Sequence, residues 1–192
     1  MPYSQRLFLV CALLGCHCGF ALAQFPVPLV RDNEAARPAQ VRELVSQYCR
    51  LDYAGTRLDA QGWPRFESLV WWKSDPSYGQ IDVISRFAVE EEPTESHGKY
   101  SVTVHYSLMG GYDLKAGYAP EPGAVQDVTY TVTHNNGEWK IADADNTSPH
   151  VSRAAMLKWL NAKIASTTDA SVKAIYEAAV QKLQPPSPTS PH

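Results

Sequence analysis

The stretch Val125 to Asp143, VQDVTYTVTHNNGEWKIAD, most constrains the fold, because it reads as a long β-hairpin closed on Asn136-Gly137. Asn-Gly favours a type I′ turn with both central residues at positive φ, and such a turn fixes the register of its strands. It sets His134 opposite Trp139, Val132 opposite Ile141 and Tyr130 opposite Asp143, all on one face. Thr129, Thr131 and Thr133 fall on the other, with Lys140 opposite Thr133. The turn and the period-2 alternation agree independently on which side is apolar.

Two further strands share this logic. Ile81 to Val89 sets Ile81, Val83, Phe87 and Val89 against Asp82 and Arg86, and Tyr100 to Leu108 sets Tyr100, Val102, Val104, Tyr106 and Leu108 against Ser101, Thr103, His105 and Ser107. The acidic connector Glu90 to Lys99 between them reads as a solvated loop. A face rich in Ser and Thr suits either solvent or an oligomer contact such as a homodimer interface. Met109 to Ala124, MGGYDLKAGYAPEPGA, is too rich in Gly and Pro for regular structure to be expected. Its Tyr112 and Tyr118 form either an aromatic flap over a cavity or the exposed tip of a long hairpin.

Helical spacing brackets the strands. A helix begins near Pro38 with Val41, Leu44, Val45 and Tyr48 at i, i+3, i+4 and i+7, and Gly55 stops it. A short helical piece follows Gly62-Trp63-Pro64 and leads to Trp71-Trp72, adjacent rings that must point in different directions. After the hairpin, Ser148-Pro149 provides an N-cap and first turn for a helix to about Ile164, and a last helix starts at Thr168 or Asp169. The sections expected are a signal peptide over 1–23, an extended arm over 24–36, an α+β domain over 37–146, a helical pair over 147–183 and a Pro-rich tail over 184–192.

The first section decides compartment. Arg6, the apolar run Leu7 to Gly15 and Ala21-Leu22-Ala23 make a secretory signal cleaved after Ala23, giving a periplasmic or secreted protein. Leu13-Leu14-Gly15-Cys16 resembles a bacterial lipobox, and that alternative leaves a lipoprotein anchored at Cys16. The apolar run is too short to span a bilayer. Loss of residues 1–23 removes one cation and takes the net charge from −3 to −4; no basic stretch stands out, so no nucleic-acid partner is expected. Cys49 is then the sole cysteine of the mature chain, which excludes an internal disulfide.

Chemistry is sparsely signalled. Asp143-x-Asp145 offers two oxygens, but His97, His105, His134 and His150 have no ligand spacing, so neither metal nor cofactor is expected. The order of elements, together with Gly137-Glu138-Trp139-Lys140-Ile141 in the last strand, resembles the nuclear transport factor 2-like superfamily, also called SnoaL-like or ketosteroid-isomerase-like, over Pro38 to Asp145. The resemblance implies a strongly curved antiparallel sheet wrapped on the N-terminal helices into a cone, with the two C-terminal helices as an addition.

The resemblance also implies a cavity. It would be lined by Tyr106, Tyr130, Val132, His134, Trp139, Asp143 and one of Trp71 or Trp72, with Tyr112 and Tyr118 on the flap. The leading expectation is a non-catalytic domain binding a small apolar or aromatic ligand, or a protein partner. The second is an isomerase or dehydratase in which a desolvated Asp143 is the general base, assisted by Tyr130 or His134. The third is an envelope assembly or scaffold protein making contacts through its Thr/Ser face and C-terminal helices.

Overall fold

Pro38 stands in the first turn of helix α1, Arg37–Tyr53, where its missing N–H costs nothing. Val41, Val45, Tyr48, Cys49 and Asp52 form its buried stripe, and Gly55 breaks the chain away at φ +76°. The computed structural model describes residues 36–184. The expected signal peptide, almost all of the arm and all but the first residue of the tail lie outside them. Single 3-10 turns at Thr56–Leu58 and Trp63–Arg65 follow α1, the second standing where a short helical piece is expected.

Seven strands come next: β1 Gln80–Val89, β2 Thr94–Ser96, β3 Lys99–Asp113, β4 Gly117–Pro120, β5 Val125–Asn135, β6 Glu138–Ala144 and β7 His150–Ser152. Helices α2, Arg153–Ser166, and α3, Ala170–Leu183, complete the order. The main path is β6-β5-β3-β1-β7, with β2 and β4 pairing on β3. This α+β sheet curls through 248° as a half-barrel, as the sequence leads one to expect. It is mixed rather than purely antiparallel, because β7 joins β1 in parallel.

The Asn136-Gly137 turn has φ 50° and 84°, and the register near it is as expected: His134 faces Trp139 and Val132 faces Ile141. Beyond that a bulge intervenes. Thr131 pairs with Asp143 and Tyr130 with Ala144, so Ala142 is the extra residue of β6. The Trp72 indole donates to the Ala142 carbonyl at 2.9 Å, filling the acceptor that the bulge leaves out of the ladder. Ala144 therefore turns inward, and Asp143 turns out.

Three other expectations are corrected. The acidic connector contains a tight hairpin, with His97 and Gly98 at φ 52° and 73° joining β2 to β3. The Gly-rich stretch is largely strand: β3 runs through Gly110-Gly111 to Asp113, and β4 returns along it. A Cβ on Gly110 would lie 2.3 Å from the Ala119 carbonyl oxygen, so this glycine permits the β3–β4 approach instead of breaking the strand. Ser148-Pro149 does not start a helix; the chain first makes β7, and Ser152 caps α2 by accepting the Ala155 N–H at 3.1 Å.

Bulges at Ser85 in β1 and Met109 in β3 exchange the faces of both strands. Phe87 and Val89 at one end of β1 look into the half-barrel, whereas Ile81 and Val83 at the other end look outward. Two cores result. The concave one joins α1 to β3, β5 and β6; the convex one joins Ile81, Val83, Tyr112, Tyr118 and Val151 to Met156, Leu160, Ala179 and Leu183 of α2 and α3.

Candidate functional site: a closed cone with a buried polar cluster

The concave space is filled by the protein itself. Tyr48, Phe66, Tyr106 and Tyr130 are each at most 2% exposed; the Tyr48 ring meets Phe66 edge to face at 5.2 Å between centroids and Tyr130 in a tilted pair at 5.5 Å. Hydroxyls in such a core need partners. Tyr106 Oη and Tyr130 Oη lie 2.8 Å apart, and Cys49 Sγ lies 3.1 Å from Tyr106 Oη. Burial pushes the Cys49 thiol up to about 12 and both tyrosines well above their ordinary value. Cys49 is thus a buried thiol without nucleophilic character.

Beyond these hydroxyls sits a cluster that the sequence reading does not single out. Asp52, Arg57, Asp82 and His150 are all at most 4% exposed. The His150 ring stacks on Tyr106 with centroids 3.8 Å apart, its Nε2 lies 2.9 Å from Gln126 Oε1 and 3.6 Å from Asp82 Oδ2, and its backbone N–H donates to Asp52 Oδ2 at 2.8 Å. Arg57 is held chiefly from the other side. Its Nε donates to Asp75 at 2.9 Å and its Nη2 lies 2.7 Å from the same oxygen, while Nη1 is 4.0 Å from Asp52 Oδ1 and 3.3 Å from the Tyr48 hydroxyl.

Desolvation of the fully buried Asp52 carboxyl outweighs the opposing pull of the Arg57 cation and of the His150 backbone N–H. The carboxyl is pushed up to about 7. Desolvation, with Arg57 adding to it, holds His150 down at about 3, so the imidazole is neutral. Asp82 is also raised by burial, against hydrogen bonds from Gln80 and Asn146. A protonatable carboxyl beside a neutral imidazole is acid–base machinery in kind. Here it is sealed: Tyr78 covers the Arg57 guanidinium at 5.4 Å, and the tyrosines close the opposite side.

The residues singled out from sequence separate into three places. Tyr106 and Tyr130 meet in the concave core, with Trp72 and Trp139 half-buried at its edge; Trp139 stacks edge-on to Tyr100 at 5.4 Å and lies 4.9 Å from the exposed His134 ring. Trp71 turns to the other side of the sheet, where its indole donates to Thr133 and Lys140 Nζ sits 4.8 Å from its ring. Tyr112 and Tyr118 form no flap over the cone. The Met109 bulge sends them to the convex core, where Tyr112 packs on Trp159 and Tyr118 donates to the Met109 carbonyl at 2.8 Å.

Asp143 is corrected in place. It is exposed, its Oδ1 accepts the Ala144 backbone N–H at 2.9 Å, and it lies across the sheet from the tyrosines.

Asp52 could have been found, because 41, 45, 48 and 52 continue one helical stripe at i, i+4, i+7 and i+11. Asp82 hides behind the Ser85 bulge, which makes an outward position of the alternation an inward one. Arg57 and His150 have no local signal. Among the described residues no cluster of three or more His, Cys, Asp or Glu could hold a metal ion, and no helix is long and apolar enough to cross a membrane. No protein-family model, curated protein or solved structure matches the chain.

Proposed function

We propose that the chain is an exported, non-catalytic domain of the nuclear transport factor 2-like kind, whose closed half-barrel serves as a rigid frame for binding a protein partner on its outer surface. One observation carries this reading above a small-ligand one: Tyr48, Phe66, Tyr106 and Tyr130 occupy the space a ligand would need. Displacing any of them would expose a large buried side chain, at roughly 1.5–3 kcal/mol each. The curled mixed sheet is compatible with the family, and the signal-like N-terminus supports export.

Native mass spectrometry of the protein gently extracted from its own host tests the reading. The expected species is a bare chain beginning at Gln24 without a small molecule. A retained apolar compound released only on unfolding would overturn the reading in favour of a ligand carrier, and a diacylglyceryl group on Cys16 would replace the soluble form by the anchored one.

The Asp52–His150 pair favours a second reading, an acid–base enzyme whose site opens when the segment around Asp75 and Tyr78 lifts from Arg57. Diethylpyrocarbonate labelling separates the two. A frame leaves His150 protected while exposed His97 and His134 react. Labelling of His150 at a comparable rate would favour the enzyme.

A further inference from the structure

The outer surface carries one built feature that the cone does not explain. An open groove of about 620 Å³ runs between the chain leaving α1, residues 54–65, and one face of α2. Its floor is narrow and nearly without side chains: a Cβ on Gly55 would lie 2.8 Å from Ala155 Cβ, and Ala162 continues the α2 side. Trp159 forms a wall, braced edge-on against Tyr112 and Tyr176. Arg65, Lys158 and Lys163 line the groove and are exposed, and among the described residues none has a carboxylate within salt-bridge distance.

Lys163 instead rests its ammonium 5.3 Å from the Trp159 ring centre. The acid in the groove, Asp59, is already accepting the Gln61 backbone N–H at 3.0 Å. On a chain whose net charge is −3, three unpaired cations around one groove are a local reversal of sign.

Resting on the partner-binding reading above, we propose that this groove binds an extended segment of a partner protein that is rich in acidic residues. The lining supports an extended, acidic occupant. Lys158 and Lys163 are five residues apart on α2, which sets them about 140° apart around its axis and on either side of the stripe of Ala155, Trp159 and Ala162, so carboxylates can be met from both edges of the groove. Backbone can approach closely where the floor is Gly55 and Ala155, and a small residue between the acids fits against Ala162. Exposed ion pairs are individually weak and screened by salt, so the complex is transient and sensitive to ionic strength.

The test places a photo-crosslinker, p-benzoylphenylalanine, at Ala162 in the groove or at Ser101 on the exposed sheet face of the full chain in its native host. Mapping of the crosslinked peptides is repeated in the double variant K158E/K163E, whose thermal unfolding is checked against the parent. The expected result is an Ala162 adduct on an acidic stretch of one partner, reduced about tenfold by K158E/K163E while the fold is unchanged. A synthetic peptide of alternating aspartate and alanine should compete it away, and one of alternating lysine and alanine should not.

An adduct on a neutral or basic stretch, on a second copy of this chain, or one indifferent to K158E/K163E would overturn the groove assignment. Adducts at Ser101 alone would overturn it too while leaving partner binding intact. Adducts at neither position would remove both proposals.

Discussion

The concave and convex cores lie on opposite faces of one sheet and are closed by different chemistry. On the concave side, the hydroxyls of Tyr48, Tyr106 and Tyr130, the Cys49 thiol and four charged or titratable groups are packed among apolar side chains. On the convex side, α2 and α3 cover Ile81, Val83 and Val151 with Met156, Leu160, Ala179 and Leu183, and tyrosines are the polar members. An apolar core asks only for volume and shape. A core with buried charge asks for particular partners at particular distances, and losing one leaves another stranded. The concave side should therefore be brittle to small chemical changes and the convex side tolerant of them.

The largest expected effect is Arg57→Ala. It leaves Asp75 unpaired, takes the donor from the Tyr48 hydroxyl and opens space beside Asp52, and should cost about 3–5 kcal/mol in urea unfolding at neutral pH. A loss no larger than that of an exposed ion pair would make the concave cluster ornamental. Next is Asp52→Asn, read as a function of pH.

The folded carboxyl titrates near 7 against 3.8 when unfolded, so the native state holds a proton the unfolded chain lacks between those values. That contribution is full below about pH 4 and is lost as pH rises to about 7. Asparagine cannot lose it. The variant should thus gain on the parent by up to about 4 kcal/mol across that window, as measured by denaturant midpoints at a series of pH values. A difference constant in pH would show that Asp52 titrates normally.

Leu160→Ala probes the convex core, where a fully buried leucine gives way to a cavity; a loss of about 3 kcal/mol is expected, the same at pH 5 and pH 8. Smallest, and most pointed, is the contrast between two tyrosines. Tyr130→Phe removes the partner of the Tyr106 hydroxyl and should cost about 1 kcal/mol. The Tyr112 hydroxyl, in the convex core, is buried without a hydrogen bond. Tyr112→Phe should therefore be neutral or stabilising in the same assay. Equal losses from both would erase the distinction between the cores.

Much of the frame could be read from residues near one another in sequence. Asn136-Gly137 set the register next to it because turn chemistry is local, and the stripe on α1 and the start of α3, where Asp169 accepts the Ser171 and Val172 N–H groups, are equally local. What escaped depends on distant partners. The Ala142 bulge is matched by an indole from Trp72, and it decides whether Asp143 or Ala144 faces inward. The bulges at Ser85 and Met109 reassign Asp82, Tyr112 and Tyr118 by exchanging faces within continuous strands. Alternation alone cannot reveal such a switch, because both halves still alternate. His150 becomes a neighbour of Asp52 only when a parallel strand returns beside β1.

The Asp52–His150 pair also changes what folding does to a proton. At pH 5 the unfolded chain carries the aspartate as an anion and the histidine as a cation, since their ordinary values are 3.8 and 6.5. In the folded protein the same pair is an acid and a neutral imidazole. The number of protons has not changed, but the proton has moved from nitrogen to oxygen. Folding here is an internal neutralisation, in which an ion pair that water would tolerate is exchanged for two uncharged groups that a tyrosine-lined interior can accept. Between about pH 4 and 6.5 the pair neither takes up nor releases a proton on folding, so its two opposing pH dependences cancel. Asp52→Asn would break that balance and leave His150 alone to weaken the protein as the solution is acidified.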